Sequence, residues 1–100
     1  MASFEDHCKD CEHALGERFE DINRWLDELF QTYGPHHRPI RHNASAIERI
    51  RIKHGDKAAE AAKIHIIRDC GNVPTLKDAE QSCLFQENVF DRFIQENGTY

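Results

Sequence analysis

The sequence predicts an all-α fold, a compact bundle of four or five helices, on three observations. Apolar residues recur at spacings of three and four along most of the chain, the period of one helix face. No segment alternates with the period of two that a strand requires. Helix-ending residues punctuate the runs at Gly34 and Pro35, at Gly55, at 71–74 and at Asn97 and Gly98. The length of 100 residues suits a single domain spanning 1–100.

In the first third, Phe4, Cys8, Cys11, Leu15, Phe19, Ile22, Leu26, Leu29 and Tyr33 form one apolar stripe, widened by Trp25 and Phe30. Ser3 is placed to cap its start, with Glu5 and Asp6 in the first turn, where the helix dipole favours acids. Gly16 either divides the run into two helices or sits inside one long helix at a cost of about 1 kcal/mol. Helical throughout, Phe4 to Tyr33 would reach ~45 Å, more than so small a globule buries alone. A homodimer sharing that stripe is therefore expected.

A second helix is expected to start near Pro39, a residue suited to the first helical position, and to carry Ile40, Ala44, Ile47 and Ile50 to Gly55. Asp56 should cap a third helix, residues 57–69, apolar around most of its circumference and so the most buried of the set. Thr75 and Asp78 resemble a capping box. The last helical stretch carries Leu76, Ala79, Cys83, Val89, Phe90, Phe93 and Ile94, with a break expected near 85–88.

Six Phe, two Tyr and one Trp argue against disorder, since a solvated chain rarely carries that apolar load. The first residues have no basic stretch followed by an apolar one, as a signal peptide would. No apolar run approaches the ~20 residues a membrane span needs. A cytoplasmic protein with no membrane partner is expected. Cys8, Cys11, Cys70 and Cys83 then read as thiols rather than a disulfide framework. Cys8 and Cys11 make a C-x2-C, but both fall on the apolar stripe, where Cys packs as a small hydrophobe. Buried, unbridged Cys8, Cys11 and Cys83 are expected.

The net charge of −5 is unevenly spread: between 36 and 54, Arg38, Arg41, Arg49, Arg51 and Lys53 face Glu48 alone. On a helix beginning at Pro39, Arg38, His42, Ser45, Arg49 and Lys53 share the outward face. Arg38, His42, Arg49 and Lys53 would then form a ridge for a phosphate, a carboxylate or an acidic partner. The plainer alternative pairs that ridge with the acidic helices. An acidic total without aromatics among the basic residues speaks against nucleic acid.

His65 and Asp69 stand four apart and share one helix face with Ala58 and Ala62. The acid could fix the imidazole tautomer, leaving the other nitrogen for a metal, a substrate or a backbone group. His42 and His13 are the candidate further ligands, and a divalent ion such as zinc the candidate cofactor. An internal hydrogen-bond network is the plainer alternative. H-E-x-x-H, a His-Asp dipeptide and a Gly-rich phosphate loop are absent, and no nucleophile–base pair stands out.

The order His13-Ala14, Arg41-His42-Asn43 with Ala46-Ile47-Glu48, and the run Ile64-His65-Ile66-Ile67-Arg68-Asp69-Cys70-Gly71-Asn72-Val73-Pro74-Thr75 resembles a small uncharacterised helical family of bacteria and their phages. That family shows R-H-x-x-x-H-H-x-x-G-I and Q-H-x-x-x-D-x-G-x-I-P-T segments. Here Asn43 stands for one histidine and Ala46 for the glycine, and the Trp after the P-T pair is missing. The resemblance implies a helical fold, points to His42, His65 and Asp69, and implies no known reaction.

Three readings follow. The first is a non-enzymatic interaction or regulatory protein, self-associating and of phage or accessory origin, acting on a protein partner. The second is a small metal-binding helical protein, with hydrolysis as its candidate chemistry. The third is an anion- or nucleotide-binding module built on the basic ridge.

Overall fold

The computed structural model describes residues 2–34, 38–81 and 89–98. Among them the chain is helical with no strand, as the periodicity predicts. In order the helices are α1 (Phe4–Leu15), α2 (Glu20–Asp27), α3 (Phe30–Tyr33), α4 (Arg38–Arg41), α5 (Ala44–His54), α6 (Asp56–Cys70), α7 (Leu76–Gln81) and α8 (Val89–Asn97). Two of these, α3 and α4, are single turns.

The stripe of the first third is cut at Gly16, so the 45 Å helix does not form. Gly16 ends α1 in the left-handed region, at φ 80°. The chain re-enters a helix through Phe19, itself left-handed at φ 51°, a conformation that costs a β-carbon-bearing residue roughly 1–2 kcal/mol. The reversal folds α2 back against α1, and both pack on α6. Much of the stripe is thereby covered within one chain: Cys8, Cys11 and Leu26 are fully buried, and Phe19 packs against the core. Phe30 stays 46% exposed.

The start of α1 is capped as expected. Ser3 Oγ accepts from the Asp6 amide at 3.1 Å, and Asp6 Oδ2 accepts from the Ser3 amide at 3.1 Å. Thr75 and Asp78 make the same reciprocal pair ahead of α7.

The helix expected from Pro39 is two pieces. After the single turn of α4 the chain bends at 42–43, and Asn43 caps α5: its Oδ1 accepts from the Ala46 amide at 2.9 Å, and its Nδ2 donates to the Ile40 carbonyl at 3.2 Å. Asn is a far better cap than an interior helix residue, and its fully buried side chain closes the turn from both sides. A correction also applies to α6: Gly55, at φ 95°, holds the cap position without a side-chain bond, and Asp56 is the first helical residue.

As predicted, α6 is central, packed by α1, α2 and α5. Ala58, Ala59, Ala61 and Ala62 are buried along it and, being short, admit neighbouring helices closely. They join Cys11, Ile22, Leu26, Ile47, Ile50 and Ile66 in the main core. A smaller cluster of Tyr33, Ile40 and Ala79, with Leu29, Leu76 and Phe93, fastens α4 to α7 and α8.

Cys8 and Cys11 are buried and unbridged. Cys83 and the break near 85–88 lie outside the described residues. No helix among the described residues is long and apolar enough to cross a membrane.

Asn43→Ala should lower stability by about 1 kcal/mol or somewhat more, as loss of a helix cap does. The check is a denaturant midpoint that falls while the helical signal of the native state stays unchanged.

Candidate metal centre

The polar centre of the domain lies where α1, α2, α6 and the α4–α5 bend meet. His7 comes from α1, Asp27 from the last residue of α2, His42 from the bend, and His65 and Asp69 from α6. The side chains of the three histidines are fully buried, that of Asp69 is 2% exposed and that of Asp27 30%.

Each carboxylate faces all three imidazoles through their Nε2 atoms. For Asp69 the distances are 3.2 Å to His7, 3.2 Å to His42 and 3.3 Å to His65. For Asp27 they are 3.9, 3.6 and 3.2 Å in the same order. One donor atom from each of His7, Asp27, His65 and Asp69 fits within 4.8 Å of every other. Ligands held about 2.1 Å from an ion stand about 3.0 Å apart at right angles and about 4.2 Å apart across it. The carboxylate–imidazole distances, 3.2 to 3.9 Å, fall between those two values, while His42 lies outside the four-residue set.

A second layer fixes how His65 presents itself. Asn23 Nδ2 donates to the Arg18 and Phe19 carbonyls at 3.0 and 3.1 Å, which settles which end of the amide is oxygen. Its Oδ1, 2.9 Å from His65 Nδ1, must therefore accept, and Nδ1 carries the hydrogen. In neutral His65 the Nε2 atom then presents a lone pair to two carboxylates. That arrangement is repulsive unless a proton or a cation stands between them.

The same Asn23 Nδ2 lies 3.8 Å from Cys8 Sγ and 3.5 Å from Cys11 Sγ. The C-x2-C thus packs behind the histidine, and burial pushes both thiols above their ordinary range.

His7 is the sharper anomaly. It is fully buried, its Nε2 stands 3.2 Å from Asp69 Oδ1, and its Nδ1 has no hydrogen-bond partner among the described residues. Its ring stacks on His65, with centroids 3.5 Å apart and planes 12° from parallel, which keeps both Nε2 atoms on the Asp69 carboxylate. A buried polar group left without a partner costs ~1–3 kcal/mol.

Charge is shared accordingly. Burial works to raise the Asp69 and Asp27 carboxyls, but hydrogen bonds and charge from the histidines outweigh it and hold both below the usual carboxylate range. Burial lowers His42, and the Asp69 hydrogen bond does not make good the loss. His65 is raised: burial opposes its charge, but Asp27 and Asp69 prevail.

Of the sequence candidates, His65, Asp69 and His42 come together. His42 is 1% exposed rather than on an outward face, because α5 begins after it. His13 does not join them: it is exposed on α1, nearly two turns beyond His7. The basic ridge is likewise undone at His42. The side chain of Arg38 falls outside the described residues, while Arg49 and Lys53 line a separate hollow with Asp21, Ile22, Trp25, Ile50 and His54. Arg41, which is not part of that ridge, pairs with Glu28 just after α2. His7 and Asp27 escaped the sequence reading. The sign of His7 was its register on the apolar stripe, three residues after Phe4 and four before Cys11.

No family model matches the chain, no curated protein matches it and no solved structure matches it.

In the metal-free protein, the two depressed carboxyls contribute stability that is complete above their ordinary value of 3.8 and is lost as the pH falls through their native values. His42, also depressed, contributes above its ordinary 6.5. His65, raised, contributes below 6.5 and loses that share as the pH rises through its native value. Metal-free protein should therefore melt progressively earlier below about pH 4. Asp69→Asn should flatten that acid limb in melting curves taken across pH.

Proposed function

We propose that the protein works through one bound divalent transition-metal ion, held by His7, His42 and His65 through Nε2 and by Asp27 and Asp69 through carboxylate oxygen. The observation that carries this reading is the convergence of three buried imidazole Nε2 atoms on two carboxylates, all three side chains being sealed from water. Hydrogen bonds alone account poorly for the cluster. Neutral His7 and His42 can each donate an Nε2 hydrogen to Asp69, but one proton on His65 still leaves two carboxylates facing one positive charge. A divalent ion balances both carboxylates and occupies all three nitrogens at once.

Imidazole and carboxylate together suit zinc, iron, manganese or cobalt. Asn23 supplies the outer-layer acceptor that metal-binding histidines ordinarily have on their second nitrogen. The resemblance to the small helical family of bacteria and phages is in keeping with this reading, since His42, His65 and Asp69 are the positions it points to. The regulatory-interaction reading rests on small size, an acidic balance and the lack of a recognisable catalytic set, none of which accounts for the buried cluster.

Elemental analysis of protein purified without a histidine tag should return about one equivalent of metal per chain. Saturating ion, about a hundredfold over its Kd, should stabilise the chelated protein by about 2.7 kcal/mol. Asp69→Ala and His65→Ala should each abolish both effects. Wild-type protein that holds no ion and melts at the same temperature with Zn2+, Mn2+ or Fe2+ would overturn the proposal.

A further inference from the structure

Resting on that metal reading, we infer that the bound ion keeps one exchangeable coordination position, opening beside Asp27, and takes a water molecule or a small anion there. The centre is then reactive rather than a structural clamp.

The donor count is the first argument. Structural zinc sites are closed by four ligands, usually with sulfur among them. Here His7, Asp27, His65 and Asp69 have donor atoms within 4.8 Å of one another and His42 Nε2 joins them 3.2 Å from Asp69, all five donors being nitrogen or oxygen, while the neighbouring sulfurs of Cys8 and Cys11 sit behind Asn23. Five single-atom donors of this hardness suit an ion of octahedral habit such as Mn2+, Fe2+ or Co2+. They leave the sixth position unfilled by protein.

Burial locates that position. The side chains of His7, His42, His65 and Asp69 are sealed within the helices, and only that of Asp27, 30% exposed, borders solvent. An outside ligand therefore reaches the ion along the C-terminal end of α2. Arg41 lies at the same end, its Nη1 donating to the Trp25 carbonyl at 2.7 Å and to Glu28 Oε1 at 2.6 Å.

Charge and size narrow the ligand. Two carboxylates neutralise a divalent ion and the imidazoles add nothing, so the sixth ligand is water or a monoanion. The hollow lined by Trp25, Arg49 and Lys53 shares no residue with the centre and does not extend the site for a bulky substrate.

The test uses the full chain loaded with one equivalent of Co2+, whose visible absorption reports coordination number, and azide as the probe anion. The expected result is the weak absorption of a five- or six-coordinate ion, followed by a saturable spectral change on adding azide, with a stoichiometry of one. One-to-one Co2+ with the intense bands of a tetrahedral ion, or with a spectrum indifferent to azide, would overturn this inference and leave the metal reading standing. Failure to bind Co2+, Zn2+, Mn2+ and Fe2+ alike would remove both.

Discussion

Two carboxylates share one buried space between α2 and α6, and the rest of the domain is arranged around that fact. Asp27 and Asp69 repel each other, and burial strengthens the repulsion by removing the water that would screen it. Packing the ends of the two helices against each other is therefore unfavourable unless positive charge stands between them. Three imidazoles surround the pair, one from α1, one from the α4–α5 bend and one from α6 itself. The contact that joins four parts of the chain is thus an electrostatic one, set into a core otherwise made of alanine, isoleucine, leucine and cysteine.

Asn23 ties that contact to the backbone. It holds the hydrogen of His65 Nδ1, it takes up the carbonyls of Arg18 and Phe19, and it lies against the sulfurs of Cys8 and Cys11. Arg18 and Phe19 belong to the reversal between α1 and α2, where Phe19 adopts the left-handed conformation. One side chain therefore braces a strained turn and orients a histidine of the polar centre. A residue with that many obligations tolerates little change: aspartate has no amide hydrogens to give the two carbonyls, and leucine would serve neither them nor the imidazole.

Periodicity was enough to read the helical class, the caps at Ser3 and Thr75, and the central place of α6. It also exposed half of the polar centre, because His65 and Asp69 sit one turn apart on the same helix. The rest depends on contacts between helices, which spacing along one helix does not encode. His42 turned on a single boundary: Pro39 suits a helix start, and it does sit in the short α4, but Asn43 restarts the helix and turns His42 inward. His7 was legible in principle, since it keeps step with Phe4 and Cys11 whereas His13 does not. Asp27 offered less. It follows Asn23 by four, the same one-turn relation as His65 and Asp69, yet nothing within α2 says that an acid beside Leu26 faces inward.

The alanines of α6 complete the account of why such a centre fits in so small a domain. Ala58, Ala61 and Ala62 precede His65 by seven, four and three residues, and therefore line the same side of the helix over two turns. Larger side chains there would hold α1 and α2 away, and the reach of an imidazole or an aspartate is short. With methyl groups along that face, α1 and α2 close on α6 and bring His7 and Asp27 to within 4 Å of the Asp69 and His65 atoms they face. The small residues that make α6 the packing axis are thus the ones that let ionisable side chains from three helices meet on its last turn.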